Sequence, residues 1–371
     1  MRCRPILPVH RFRHAASGCV QRVARRLVLR ARCELILAGL VIGITLAAAG
    51  PAWAGSTDTT LVSSRPNAGG GPDVITVRFG LIDIVDINDR AQRFEIDAFV
   101  EIHWQDDRLA SDSEVVPANR LFPIDEIWTP RLLVVNNRGL DLLLPEVATV
   151  DRAGHVVIRQ RLAGALAADL VLKEFPFDTQ RLGIDVVSYM YSPAELVYSD
   201  ESELIANVET FSAKGWTFGV MEPEFAVYRL SEGGVGTSQL SFVVRADRNS
   251  GFYVLTLALP MTLILFLAWM AHWLPPEVTA PRLGMASATV FSLIAFGVSF
   301  RLTLPAIDYL TRADRFVVLS TLLVAASLAF TIATTRLAST DRAEDATRLA
   351  RRMQRVFPIA YLAILGLTFV A

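Results

Sequence analysis

The sequence predicts a β-sandwich domain followed by four membrane-spanning helices. The chain has 371 residues, of which 52% are hydrophobic, and its mean hydropathy of +0.40 is typical of a membrane protein. Residues 73–248 contain short runs of alternating apolar residues separated by turns, and they show no helical pattern of useful length. Residues 249–371 change abruptly to apolar stretches of the length that a bilayer requires, so we assign them to a helical membrane domain.

The amino-terminal residues 1–54 have the composition of an export signal. Nine arginines and no acidic residue occupy the first 33 positions, an apolar run follows, and Ala52-Trp53-Ala54 offers a small-x-small cleavage site. An uncleaved anchor helix is the alternative interpretation. Residues 55–72 are a polar linker rich in Gly and Ser. We therefore expect residues 73–248 outside the cytoplasm. We expect no disulfides there, because every cysteine lies in the predicted signal: Cys3, Cys19 and Cys33.

The middle of the chain is predicted to form a β-sandwich. The alternating apolar runs on which this rests are Val74–Ile84, Phe94–His103, Val156–Arg161, Leu182–Val187, Phe225–Leu230 and Leu240–Val244. Residues 55–250 carry 30 acidic and 17 basic side chains. Such a domain is expected to attract cations rather than anions, and it has no basic patch suited to nucleic acid.

Four apolar segments are predicted to cross the membrane, at about residues 251–273, 281–302, 316–335 and 356–371. The second segment is rich in Gly, Ala, Ser and Thr. Small residues in a membrane helix indicate either close helix packing or a helix that faces a water-filled lumen, and both interpretations stay open on composition alone. The basic segment Ala343–Arg355 is placed in the cytoplasm by the positive-inside tendency.

Five motifs occur in one order along the chain. They are Trp104-Gln105-Asp106-Asp107-Arg108-Leu109, Ile127-Trp128-Thr129-Pro130, Phe175-Pro176-Phe177-Asp178-Thr179-Gln180, Pro260 and Leu304-Pro305. With the predicted topology, they make the chain resemble pentameric ligand-gated ion channels, the Cys-loop receptor superfamily, in their short bacterial form, which commonly lacks the family's bracketing cysteines. The resemblance implies an immunoglobulin-like extracellular sandwich, a four-helix membrane bundle, and a homopentamer around a central pore.

The resemblance implies that the second membrane helix lines the pore. Alignment on the basic residue at its start and on Leu304-Pro305 turns a stripe at helical spacing towards the lumen, consisting of Gly284, Ala288, Phe291, Ala295 and Val298. Glu277 and Arg282 are expected as charges at the pore mouth. The Ala280-Pro281 pair is similar to the pattern of anion-selective members, whereas the acidic sandwich favours cations. We expect cation selectivity, with anion selectivity as the alternative.

Ligand and coupling residues are also implied by position in the family. The expected ligand site is an aromatic cage between neighbouring sandwiches, suited to an ammonium group, with contributions from Phe99, Tyr189 and Tyr228. Packing of these rings in the core or at an interface is the alternative, and protons are an alternative agonist. The resemblance places the coupling between sandwich and pore at Asp89, Asp178, Arg248 and Pro305.

Two other classes of protein are alternatives to an ion channel. A membrane-anchored β-sandwich that binds or senses without conduction would need only one span. A membrane enzyme has no support, because no nucleophile triad, HExxH motif or cysteine cluster occurs. We expect no cofactor, no metal and no nucleic-acid partner. The expected partners are copies of this chain, membrane lipid and permeant inorganic ions, in the inner membrane of a cell with the amino-terminal domain in the periplasm.

Overall fold

The computed structural model describes residues 64–115, 117–231, 233–340 and 342–369. The predicted export signal, its three cysteines and the first part of the predicted linker lie outside the described residues. The described part contains thirteen strands and four long helices.

The sandwich is built from two sheets. The larger sheet has the strand order β10-β1-β2-β7-β6-β3, with β5 paired to β7 and β9 paired to β1. The smaller sheet has the order β11-β13-β8-β4, with β12 paired to β13. In chain order the strands are β1 (Asp73–Asn88), β2 (Arg93–Gln105), β3 (Asn119–Pro123), β4 (Leu132–Val134), β5 (Asn137–Leu142), β6 (Val147–Asp151), β7 (His155–Ala167), β8 (Thr179–Ser188), β9 (Leu196–Tyr198), β10 (Glu203–Ala206), β11 (Trp216–Val220), β12 (Glu224–Tyr228) and β13 (Thr237–Arg248).

The hydrophobic core lies between the two sheets. On β1, alternate residues are buried while their neighbours face outwards, as the period of two in the sequence predicts. The rings of Phe79 on β1 and Phe242 on β13 meet across the core with 5.4 Å between their centroids. Trp128 is buried and its indole Nε1 donates to the Tyr191 hydroxyl at 2.7 Å. Trp128 therefore packs inside the sandwich.

Four helices follow the sandwich: α1 (Ser250–Met270), α2 (Thr279–Arg301), α3 (Arg312–Ala338) and α4 (Ala343–Phe369). The first three are long and apolar enough to cross a membrane. Their buried side chains form a second core that includes Leu257, Leu293 and Phe316. The predicted spans match these three helices to within a few residues at each end.

The last helix differs from its prediction. The sequence interpretation separated a basic amphipathic segment, Ala343–Arg355, from a fourth span at 356–371, whereas α4 runs through both without a break. Pro358 lies inside it, in a helix whose neighbours can satisfy the freed carbonyl. The apolar part of α4 alone is shorter than the roughly 20 residues that a span requires. A fourth membrane crossing therefore stays a prediction.

One loop of the sandwich packs against the helices. Leu172 and Phe175, in the loop between β7 and β8, belong to the core of the helical bundle rather than to the core of the sandwich. The backbone N–H of Ala313, at the start of α3, donates to the carbonyl of Phe175 at 3.2 Å. The Tyr309 hydroxyl accepts from the backbone N–H of Leu172 at 3.0 Å. This loop therefore joins the two halves of the chain mechanically.

Candidate functional site

A buried ion cluster lies where the sandwich meets the first helix. Arg248, the last residue of β13, donates from Nε and Nη2 to both carboxylate oxygens of Asp178, at 2.8 and 3.0 Å. It also donates from Nη1 and Nη2 to both oxygens of Asp89, at 2.8 Å each. The structure thus brings together the three charged residues that the sequence interpretation grouped here. Their role in gating stays a prediction.

Local structure explains why these side chains meet. Asp89 follows the last residue of β1 in the turn to β2, and Asp178 immediately precedes β8. β13 pairs with β8, and the backbone N–H of Arg248 donates to the carbonyl of Asp178 at 3.2 Å. Three chain segments at the same end of the sandwich therefore converge on one guanidinium, just before α1 begins.

Aromatic rings surround the guanidinium of the ion cluster and shield it from water. The guanidinium carbon of Arg248 lies 4.1 Å from the ring centroid of Trp216, 4.8 Å from that of Phe175 and 5.3 Å from that of Tyr253. Burial by itself lowers the pKa of Arg248, but the hydrogen bonds and charges of the two carboxylates outweigh burial and raise it above its usual range. The cation is therefore fixed and permanently charged at this junction.

Helix α2 has two faces of opposite character. The face that packs against the neighbouring helices carries Arg282, Ala286, Thr289 and Leu293, which are buried. A Cβ added to Gly297 would come within 3.0 Å of Val317 on α3, so that glycine allows close packing. The other face is exposed along its whole length, and every member of the predicted pore stripe lies on it: Gly284, Ala288, Phe291, Ala295 and Val298.

Phe291 is the largest residue of that exposed stripe and is 72% exposed. Its stripe neighbours Ala288 and Ala295 are small, and a Cβ at Gly284 would meet no atom within 4 Å. The packed face of α2 therefore agrees with the interpretation of close helix packing, and the exposed face leaves the interpretation of a water-filled lumen open. That the exposed stripe lines a pore stays a prediction.

Arg282, which the sequence predicts as a charge at the pore mouth, lies on the packed face of α2. It is fully buried, and its Nε donates to the carbonyl of Ala271 at the end of α1, at 3.1 Å. The cation thus satisfies a free carbonyl at a helix carboxyl terminus, while its Nη1 and Nη2 are buried without a hydrogen-bond partner among the described residues. Its charge is not presented on the exposed stripe, unlike Glu277, which is exposed in the turn before α2.

Arg301 is a charge near the exposed stripe that the sequence analysis does not select. It is the last residue of α2, one helical turn beyond Val298. Its side chain is 48% exposed, and Nη1 lies 2.8 Å from Oδ1 of Asp314 on α3. Asp314 in turn forms a capping box with Thr311. A helix boundary at Arg301 would have identified this residue, because it places Arg301 on the last turn of α2, beside the start of α3.

The loop that carries Pro305 follows α2 directly. Leu304 is buried in the helical core, in the same cluster as Phe175, and Pro305 is half-buried beside it. This loop therefore connects the end of α2 to the packing around the sandwich loop. The predicted coupling role of Pro305 is untested.

The predicted aromatic cage is not assembled within one chain. Phe99 lies on β2 in the larger sheet, whereas Tyr189 follows β8 and Tyr228 ends β12, both in the smaller sheet. Among the described residues no ring contact joins Phe99 to either tyrosine. A cage made of these three residues would need two neighbouring copies of the chain, as the resemblance implies.

Each of these rings has its own surroundings. Phe99 is 44% exposed, and the guanidinium of Arg161 lies 5.8 Å from its ring centroid, held there by Asp97 through bonds of 2.6 and 2.9 Å. Hydrogen bonding to Arg161 lowers the pKa of Asp97, so this pair stays charged. Tyr189 is 57% exposed and borders a cavity of about 510 Å³ in the sandwich, which is also lined by Val100, Leu132, Ile158, Gln160 and Leu162.

Comparison with known proteins gives one family and a set of relatives. Residues 61–222 match the family model of the neurotransmitter-gated ion-channel ligand binding domain. The gamma-aminobutyric acid receptor subunit beta of Caenorhabditis elegans is 25% identical over 281 residues, which are 71% of this chain and 49% of that protein. The gamma-aminobutyric acid receptor subunit beta-like protein of Drosophila melanogaster is 25% identical over 284 residues, 71% of this chain and 56% of that protein. The pH-sensitive chloride channel 2 of Anopheles gambiae is 25% identical over 271 residues, 67% of this chain and 43% of that protein.

These findings support the resemblance to the Cys-loop receptor superfamily, a family of ion channels rather than of enzymes. The chain spans about half the length of the curated relatives that it matches. These relatives come from animals, so the bacterial form of the family stays a prediction. The expected cation selectivity receives no support, because the relative whose name specifies an ion is a chloride channel.

Proposed function

We propose that this protein is a ligand-gated ion channel in which copies of α2 surround a central pore. The observation that carries the proposal is the exposed stripe from Gly284 to Val298, on a helix whose opposite face is packed. A helix that is exposed to lipid would present large apolar residues along its outer face, whereas this stripe is small except at Phe291. Five-fold repetition, as the resemblance implies, would place these faces around one axis and complete a homopentamer.

We further propose that the channel selects anions. Arg301 lies at the end of α2, and its symmetry-related copies, each paired with Asp314, would place a ring of guanidinium groups near the outer mouth of the pore. A charged ring at the mouth acts on ions about to enter the pore, whereas the acidic surface of the sandwich is more distant and is screened within about 10 Å at moderate salt. The chloride channel among the relatives supports the same choice.

The agonist is proposed to bind between neighbouring sandwiches, at Phe99 of one copy and at Tyr189 and Tyr228 of the next. These rings suit a ligand with an ammonium group. Gamma-aminobutyric acid is the first probe, because two relatives are named as its receptor subunits and it carries such a group. The proposed location is the cell inner membrane, with the sandwich in the periplasm.

Reconstitution in planar bilayers tests this function. In a sodium chloride gradient, we expect currents evoked by gamma-aminobutyric acid or by acid to reverse close to the chloride equilibrium potential. Arg301→Gln should move the reversal potential towards that of sodium, whereas the matched variant Arg301→Lys should not. Absence of conductance under both stimuli, from a protein that assembles normally, would instead favour a membrane-anchored binding protein.

A further inference from the structure

Two histidines are in contact on the outer face of the larger sheet. His103 lies on β2 and His155 on β7, and these strands are antiparallel neighbours. Their rings stack with 5.4 Å between centroids and an interplanar angle of 26°. They are diagonal cross-strand neighbours, because His103 pairs with Val157 and His155 pairs with Gln105. The described residues contain only one further histidine, His272, which lies in the helical domain.

A carboxylate connects this pair to the rest of the sheet. Oε2 of Glu101 lies 3.2 Å from Nε2 of His103, and Oε1 of Glu101 accepts from Nε of Arg159 at 2.6 Å. Glu101 therefore lies between a titratable imidazole and a permanent guanidinium. Burial opposes its charge, but the hydrogen bonds of Arg159 and His103 outweigh burial and hold the pKa of Glu101 below its usual range.

Other charged groups surround the pair. β1 contributes Arg78, which pairs at 3.3 Å with Glu203 on β10. Beyond the end of β2, Asp107 accepts from Gln105 at 2.8 Å, and Oδ1 of Asp151 accepts from the backbone N–H of His155 at 2.8 Å. Arg78 and Glu203 cancel, as do Arg159 and Glu101, so Asp107 and Asp151 leave this group negative while both imidazoles are uncharged. Each proton taken up by the pair makes the cluster more positive by one charge.

The present arrangement disfavours the first of these protons. Burial is the main cause that lowers the pKa of His103, and His155 and Arg78 lower it further, whereas Glu101 acts in the opposite direction without restoring it. A second proton would place two cations in stacked contact. Any arrangement in which the rings separate or gain water therefore holds protons more tightly, and acid shifts the population towards it.

The histidine pair shares its face of the sheet with the proposed ligand site. Phe99, Glu101 and His103 are alternate residues of β2 and point to the same side. Their partners on β7 form a matching row, because Phe99 pairs with Arg161 and Glu101 pairs with Arg159. A protonated His103 binds Oε2 of Glu101 more strongly while Arg159 holds Oε1, so protonation changes the charge of the row of side chains that includes Phe99.

We propose that His103, His155 and Glu101 form a proton-binding site through which external acid controls ligand activation at Phe99. This inference rests on the proposed channel function and adds a second ligand, the proton, at a defined place. It differs from a purely structural role for the histidines, because a structural pair would titrate without any effect on the response to ligand.

The first part of the test measures proton binding without conductance. Histidine ring resonances are recorded by NMR on the full-length protein, labelled at histidine, from pH 8 to pH 5. Resonances are assigned with His103→Gln and His155→Gln. We expect His103 to titrate below its ordinary value of about 6.5, and His155→Gln to raise that midpoint by about half a unit, which is about a threefold gain in proton affinity. If His103 titrates at its ordinary pKa and His155→Gln does not change that midpoint, the proposed proton-binding site is overturned.

The second part measures currents evoked by gamma-aminobutyric acid at pH 7.5 and pH 5.5. We expect His103→Gln, His155→Gln and Glu101→Gln each to reduce the effect of acid by about threefold or more. The control is Glu224→Gln, since Glu224 also pairs with an arginine, Arg181, but in the smaller sheet, whereas both histidines lie in the larger sheet. Normal acid responses in all three site variants would overturn the proposal even if the titrations are coupled. A wild type that never conducts would overturn the channel function, while the resonances would still decide whether the coupled proton site exists.

Discussion

Replacement of Arg248 by alanine is the most informative perturbation of the junction between sandwich and helices. The change removes four charge-assisted hydrogen bonds of 2.8–3.0 Å and leaves the carboxylates of Asp89 and Asp178 facing each other. Their side chains are 17% and 1% exposed, so water can reach Asp89 in part and Asp178 hardly at all. Gln180 still donates to Oδ2 of Asp178, but two carboxylates without a cation in such a place destabilise the fold that keeps them there.

The expected loss is about 3–5 kcal/mol, the range for removal of one partner from a buried ion pair. The individual hydrogen bonds, at roughly 1.5–3 kcal/mol each, are not summed because the guanidinium regains its hydration in the unfolded chain. Against a typical stability of about 5–15 kcal/mol for a folded domain, this loss is large enough to reduce assembly. Loss of the contacts with Trp216 and Phe175 acts in the same direction.

The assay combines the amount of assembled protein, the thermal unfolding midpoint and the evoked current. Arg229→Ala is the matched control, since Arg229 is an exposed arginine of the same domain. Arg248→Lys should be intermediate, because one ammonium cannot bind two carboxylates in bidentate fashion. Near-normal stability and current in Arg248→Ala would refute the reasoning.

A triple variant separates stability from coupling. Replacement of both carboxylates and the guanidinium together, as Asp89→Asn, Asp178→Asn and Arg248→Met, removes the uncompensated charges. We expect it to recover much of the stability that Arg248→Ala loses, while gating stays impaired if the ion cluster transmits the movement. Recovery of both stability and gating would show that the cluster is only structural.

The remaining predictions concern the pore, the ligand and acid. Phe291→Ser should produce a leak current without stimulus, because a ring of polar side chains would keep the constriction filled with water. Phe291→Leu keeps the constriction apolar and should leak much less. A well-assembled Phe291→Ser protein that is silent at rest would count against the gate. Tyr189→Ala should weaken activation by an ammonium ligand by about 1–2 kcal/mol and leave the acid response unchanged, as measured by dose–response curves; identical curves would assign the ring to packing. The pKa of His103 is below its ordinary value in the folded protein, so the unfolded chain binds more protons in acid and stability falls as pH drops through about 6.5. The unfolding midpoint should therefore decrease between pH 7.5 and 5.5, and less so in His103→Gln; an equal decrease would contradict that assignment.

Much of the architecture could be predicted because strong local patterns carry it. The long alternating runs on β1, β2, β7, β8 and β13 each bury one face, so a period of two is visible in the sequence. The sequence did not predict the short strands β3, β4, β5, β6, β9, β10 and β11. They have three to six residues each, several face solvent on both sides, and the neighbouring strands rather than their own sequence hold them in the sheet.

The candidate functional site also has a part that the sequence could predict and a part that it could not. Arg248 and its two carboxylates could be grouped through motifs, since FPFD contains Asp178 and the end of β13 is adjacent to the first span. The burial of Arg282 could not be predicted, because its partner is a backbone carbonyl at the end of α1. The sequence does not show which backbone carbonyl a side chain will bind. The contact of His103 with His155 depends on the register of β2 with β7, across 51 intervening positions, which only the three-dimensional pairing defines.

The central claim, that the exposed stripe of α2 lines an ion pathway, is tested most directly by thiol accessibility. In a background with Cys3, Cys19 and Cys33 replaced by serine, Ala288→Cys places a thiol on the exposed stripe, and Ala286→Cys places one on the packed face, where Ala286 is only 2% exposed. A charged, water-soluble thiol reagent is applied while the current is recorded. We predict rapid and irreversible block of Ala288→Cys and no effect on Ala286→Cys. Equal sensitivity of the two variants, or block of Ala286→Cys alone, would contradict the proposed orientation of α2 and the pore built on it.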